Sequence, residues 1–150
     1  MKKYDVIALG ELLIDFTENG VVFRTIYYLK QIREAHPAMS LQCCRSWEIR
    51  PPLLGKVGAD FLGQRLKNVI TEVGIDTRYL YMDEKVPTTL AFVHTLPDGD
   101  RDFSFYRNPG ADMMLTADEV PQGLFADTKI FHFGTLSMTH NGVRNATKKH

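Results

Sequence analysis

Asp15 follows closely on an apolar run that ends in glycine, Tyr-Asp-Val-Ile-Ala-Leu-Gly at 4–10. In open α/β sheets the ligand crevice lies beyond the carboxyl ends of the strands, so an acid at this point is placed to meet a ligand. A turn or capping role is the alternative, and the spacing leaves both open. Between residues 88 and 108 two alternating runs flank Pro97-Asp98-Gly99, the pattern of a β-hairpin. In the second run Arg101, Phe103, Phe105 and Arg107 share one face, with Asp102, Ser104 and Tyr106 on the other. Two guanidinium groups with aromatic backing suit a polar ligand. The plainer reading is an outer hairpin with one packed aromatic side and solvated charges. Six residues of extended chain span roughly 20 Å, so Arg101 and Arg107 cannot both touch one small molecule.

Other chemical candidates reduce to packing. Gly55, Gly58 and Gly63 precede and enter a helical pattern, where bare amides attract anions. Their spacing fits neither the dinucleotide fingerprint nor the Walker loop with its lysine, which makes a tight packing turn the expectation. Cys43 and Cys44 are adjacent and offer neither a disulfide framework nor a metal-ligand spacing. His132 lies in a strand pattern with no nucleophile or metal partner nearby, as a core histidine would.

Those residues need elements to hold them. The run at 4–10 has the continuous apolar character of a strand buried in a parallel sheet. Phe61, Leu62, Leu66, Val69, Ile70 and Val73 recur at helical spacing, with Asp60 as N-cap and Gly74 as stop. Residues 130–133 read as a second buried strand, and a helix capped near Thr139 follows. Its pattern stops at Lys-Lys-His, so more of the fold is expected than these elements supply.

Composition narrows the class. A chain of 150 residues with 44% hydrophobic content supports one globular core. Eighteen basic residues balance eighteen acidic ones, which argues against nucleic acid or an anionic membrane as partner. The apolar runs are too short to span a bilayer, and Met-Lys-Lys-Tyr-Asp leads into strand residues rather than a signal-peptide core. A cytoplasmic protein is expected. An α/β nucleotide-binding oxidoreductase is disfavoured, because the first strand runs into Gly-Glu-Leu-Leu-Ile-Asp without the glycine fingerprint.

Four stretches in combination carry a resemblance: "DVIALGELLIDF", "GKVGADFLG", "TTLAFVHTLPDGDRDFSFYRNPGADMML" and "FHFGTLSMTH". Together they resemble the ribokinase-like (PfkB) carbohydrate kinases, the bacterial fructokinases among them, over residues 1–20 and 55–150. The resemblance implies an α/β sandwich with a mainly parallel sheet and a small β lid, incomplete in this chain. The lid strands fall within about 16–30 and 86–108, and such lids often form a homodimer contact. It further implies transfer of the ATP γ-phosphoryl group, with Mg²⁺, to a hydroxyl of a sugar such as fructose. Asp15 would hold sugar hydroxyls, and Arg107, with Arg101 as the lesser candidate, would reach the sugar from the lid. Such a reaction depends on positioning and on electrostatic stabilisation in a closed, dry site.

Two departures accompany the resemblance. The family's Gly-Ala-Gly-Asp motif, with its catalytic base, and the nucleotide-binding segment do not occur, so neither a catalytic residue nor a cofactor-binding or metal-binding residue is assigned in this chain. The Gly-Gly-x-x-x-Asn sugar-binding motif expected a little past position 30 is also missing. There the letters, "EAHPAMSLQCCRSW" among them, fit no element of the family. Read one base earlier, with synonymous third bases free, residues 29–44 "LKQIREAHPAMSLQCC" become "FEANPGGAPCNVLAML", which restores that motif. Met39 must end in G, which starts the next hidden codon with G, and that codon reads as valine. Two compensating single-base shifts, near Gly20 and near Gly55, account for residues 21–54. The altered letters bring in His36-Pro37 and Arg50-Pro51-Pro52, whose prolines are expected to interrupt regular structure.

Overall fold

The computed structural model describes residues 2–22, 26–32 and 51–149. Strands β1 (Tyr4–Leu9), β4 (Leu53–Gly58), β5 (Leu80–Asp83) and β8 (Thr128–Phe133) form one sheet in the order β5-β4-β1-β8. All of its pairings are parallel. The alternation within β1 assigns its residues to two layers. Ile7 and Leu9 pack on one side with Leu54, Leu115, Val120 and Val143, while Ala8 packs on the other with Leu53, Val57, Leu66 and Ile70. Such two-sided burial is the reason the strand reads as an unbroken apolar run.

Helix α1 (Phe61–Glu72) covers the second layer. Asp60 caps it by accepting from the Gly63 amide at 2.8 Å, and Gly74, at φ 84°, closes it. The first layer is covered by short 3-10 turns at 111–114 and 117–119 and by helix α2 (Asn141–Thr147). Strands β2 (Ile14–Val22), β3 (Ile26–Ile32), β6 (Leu90–Thr95) and β7 (Arg101–Tyr106) form a second sheet in the order β3-β2-β6-β7. The β6-β7 pair is the antiparallel hairpin expected from Pro97-Asp98-Gly99, and Gly99 takes φ 87° at the turn. The result is an α/β fold with a parallel main sheet.

Several expectations are corrected. Phe61, counted on the apolar face of α1, is 76% exposed, because it sits at the first turn and points away from the sheet. The strand around 130–133 is not buried: Ile130 is 59% and Phe133 42% exposed, and His132 is exposed too. Among the described residues β8 is the edge of its sheet, so its outer side lacks the cover that β1 has. His132 is therefore not a core histidine. The last helix is capped by His140, next to Thr139 as expected, with its Nδ1 accepting from the Gly142 amide. Pro51 and Pro52 do not break structure where they stand. Their carbonyls accept from the Asp76 and Ala8 amides, and the chain enters β4 directly behind them, where a missing N–H is tolerated. The stretch 33–50, with Cys43, Cys44 and the altered letters around them, lies outside the described residues.

The three glycines serve packing. A Cβ on Gly63 would overlap the Gly58 carbonyl oxygen, and one on Gly55 would come within 2.8 Å of the Gly10 oxygen. The strand, the loop and the helix can approach this closely only as long as those positions carry no side chain.

Candidate functional site

Asp15 is the second residue of β2 and is 7% exposed. It is not a turn or helix-capping residue. Its register partner is Ala91 on β6, which in turn faces Phe105 on β7. Because residues directly opposite share a face, Asp15, Ala91 and Phe105 form one row on the same side of the second sheet. By strand alternation Arg107 continues that side just past the end of β7. Two strand spacings separate β2 from β7, about 10 Å between backbones. One side of the sheet therefore carries an acidic residue on β2 and a basic one two residues beyond the same row on the β7 side. Arg101 is at the other end of β7, paired with Thr95 beside the hairpin turn. Asp15 and Arg107 lie on the same side of the second sheet, with Arg107 two residues beyond the row that holds Asp15, whereas Arg101 is at the opposite end of β7.

The opposite face is aromatic. Phe16 and Phe92 stack at 5.2 Å, and Tyr106 meets Phe92 edge-on at the same distance. Phe16 and Leu90 also pack on the core beside β1, which fixes the base of the second sheet to the main one.

Arg107 has a partner that the sequence pattern did not suggest. Its Nε and Nη2 donate to Asp112 Oδ2 at 2.8 and 2.5 Å, and Nη1 donates to Thr139 Oγ1 at 3.4 Å. Thr89 donates from its hydroxyl to Asp112 Oδ1 at 2.5 Å. Asp112 sits in the turn at 111–114 and is buried. Gly110 lets the cluster close, since a Cβ there would overlap Thr89 Oγ1 and stand 2.9 Å from Arg107 Cγ. The one sequence signal for Asp112 is a charged residue inside the apolar string Ala-Asp-Met-Met-Leu at 111–115.

A second cluster lies next to it. Asp60 accepts from the Gly63 amide, from the Thr88 amide at 2.7 Å and from the Thr88 hydroxyl at 2.8 Å, while that hydroxyl accepts from the Gly58 amide. Burial pushes the Asp60 carboxyl up, but these donors outweigh it and hold it below the usual carboxylate range. Burial likewise pushes Asp83 up, and the Lys85 and Val86 amides with nearby Lys56 bring it down overall. Lys56 itself is buried, pairs with Glu119 at 2.5 Å and donates to the Met114 carbonyl. Consecutive threonines thus tie the start of β6 to two carboxylates, Thr88 to Asp60 and Thr89 to Asp112.

These residues do not fit a nucleotide or a metal ion. The Gly63 amide in the first turn of α1, which a phosphate would need, is occupied by the Asp60 carboxylate. Among the described residues there is no group of three or more His, Cys, Asp or Glu side chains that could hold a metal ion.

A parallel sheet flanked by helices, with a second sheet beside it, is the architecture of ribokinase-like proteins. The chain belongs to the pfkB family of carbohydrate kinases, whose profile matches residues 40–148. It is 36% identical over 147 residues to the probable fructokinase-3 of Arabidopsis thaliana, covering 96% of this chain and 42% of that protein. A fructokinase from Xylella fastidiosa with bound ATP superposes with TM-score 0.83 at 28% identity, covering 99% of this chain and 50% of its own. A putative ribokinase II from E. coli in complex with ATP and Mg²⁺ gives TM-score 0.83 at 25% identity, over 97% of this chain and 47% of that one. The chain spans less than half the length of the curated relatives it matches most strongly. No helix among the described residues is long and apolar enough to cross a membrane.

Proposed function

We propose that this chain is the sugar-binding half of an ATP-dependent, fructokinase-like carbohydrate kinase, and that the second sheet is its lid. The observation that carries the reading is the placement of Asp15 and Arg107 on one side of that sheet, in a chain of the pfkB family. Asp15 accepts hydrogen bonds from two sugar hydroxyls and sets the ring's orientation. Arg107 donates from the other side, and closure of the lid keeps water from competing for the phosphoryl group. Arg101, at the hairpin end, serves the sugar less. ATP and Mg²⁺ supply the phosphoryl group and its charge neutralisation in the complete enzyme, as their presence in crystals of related kinases supports.

The 150-residue chain alone binds sugar weakly and does not phosphorylate it. Support comes from the sequence, which contains neither Gly-Ala-Gly-Asp nor Gly-Gly-x-x-x-Asn. The second motif reappears when residues 29–44 are read one base earlier, so residues 21–54 are the family's sugar-binding stretch out of frame. A non-catalytic role is the second reading, favoured by the exposed Phe103, Phe105 and Tyr106, which suit a homodimer contact through the lid.

Titration calorimetry with fructose and a coupled assay for ADP release test the reading together. The expected result is no ADP release, weak heat from fructose that Asp15→Ala abolishes, and tighter binding once the frame is restored between codons 20 and 55. ADP release by the unaltered chain, or fructose binding indifferent to Asp15→Ala, overturns it.

A further inference from the structure

We propose that Asp112 is a specificity-determining residue that makes the sugar site take neutral sugars and reject sugar phosphates and sugar acids. The inference rests on the sugar-binding reading of Arg107 given above. A guanidinium carries five N–H donors and a fixed positive charge, and by itself it favours phosphate and carboxylate through paired hydrogen bonds. Arg107 does not stand by itself. Its Nε and one Nη2 hydrogen are given to Asp112 Oδ2, and the side chains of the two partners are only 11% and 2% exposed. At such depth the charges are poorly screened, so the carboxylate cancels most of the guanidinium's field for anything that approaches.

Asp112 is also unable to turn away. The Thr89 hydroxyl holds its other oxygen, Thr89 is buried just before β6, and the Gly110 backbone packs so closely on the three side chains that a Cβ there would overlap Thr89 Oγ1. With one Nη1 hydrogen directed at Thr139 Oγ1, one hydrogen on each of Nη1 and Nη2 remains for a ligand, on a guanidinium whose charge Asp112 offsets. A sugar hydroxyl accepts from them readily. A phosphate or carboxylate in the same place would lie next to a second anion, with the Nε–Nη2 edge of the guanidinium already given to Asp112. Asp15 adds a further negative charge across the site.

The test uses the 150-residue chain and its Asp112→Asn variant, with fructose, fructose 6-phosphate and inorganic phosphate as probes. Binding is read by calorimetry and by the Arg107 Nε–H signal in nitrogen-labelled protein. In the variant, the ratio of fructose 6-phosphate to fructose affinity rises by about tenfold or more, the range of one charge-assisted hydrogen bond. An unchanged ratio overturns the proposal, whereas a role in folding alone would weaken both sugars alike. Should the variant fail to fold, the unaltered chain decides: inorganic phosphate leaves the Arg107 signal unmoved, and a shift at millimolar phosphate overturns the proposal. If fructose fails to bind the unaltered chain, the sugar-site reading falls, while the phosphate titration still judges the shielding of Arg107.

Discussion

Asp60 shows how one side chain serves two elements. It caps α1 and at the same time holds Thr88 at the start of β6. Its carboxyl is below the ordinary range in the folded chain, so its contribution is fully present above the unfolded value near 4 and is lost as pH falls through the folded one. Asp60→Asn keeps a capping oxygen but loses an acceptor for Thr88, and should cost about 1–3 kcal/mol at neutral pH. Thermal melts between pH 2 and 7 should show a flatter acid limb for the variant. An acid limb as steep as that of the unaltered chain would argue against this role. Gly63 sets propensity against packing. In an exposed helix Gly→Ala stabilises by about 1 kcal/mol, yet here the new methyl meets the Gly58 carbonyl oxygen. Gly63→Ala should therefore destabilise by about 1–3 kcal/mol in urea unfolding, as overpacking does. A gain in stability would mean that helix and loop can separate freely.

At the scale of elements, legibility followed locality. Strand β1 announced itself because both its faces are buried, and α1 because Asp60 and Gly74 sit at the two ends of an apolar stripe. The hairpin was readable from a turn whose glycine takes a positive φ. Gly99→Ala should cost about 1 kcal/mol through backbone strain alone, since a Cβ there meets nothing within 4 Å. A stability change near zero would show that the turn adopts another conformation. Asp112 was missed because its partners lie five positions before it and twenty-three before it, in a short turn that follows no period. Side-chain clusters gathered from three elements leave no repeat in the letters. The exposure of Phe61, Ile130 and His132 was misjudged for a related reason: the letters show apolarity, while cover depends on which neighbour stands outside.

At the scale of the molecule, two apolar surfaces stand out among the described residues. One is the outer side of β8, with Ile130 and Phe133; the other is the hairpin, where Phe103 and Phe105 stack at 6.0 Å in partial contact with solvent. Apolar area at an unpaired edge promotes association, so the chain should be sparingly soluble. Sedimentation of Ile130→Lys and of Phe103→Ser/Phe105→Ser separates the two surfaces. Loss of dimers in the hairpin variant, with improved solubility but unchanged dimers in Ile130→Lys, is the outcome expected from a lid-mediated dimer. The reverse pattern would assign the contact to β8.

The order β5-β4-β1-β8 also has a consequence in time. β1 precedes both of its partner strands in the chain and lies between them, so Tyr4 pairs with Thr128 and Leu9 with Leu54 and Phe133. At a translation rate on the order of 10 residues per second, β1 waits roughly 10 s for its second neighbour. During that interval its apolar letters are available to chaperones or to other nascent chains. A sheet that pairs an early strand with one synthesised more than a hundred residues later makes early exposure of that strand a condition of its own assembly.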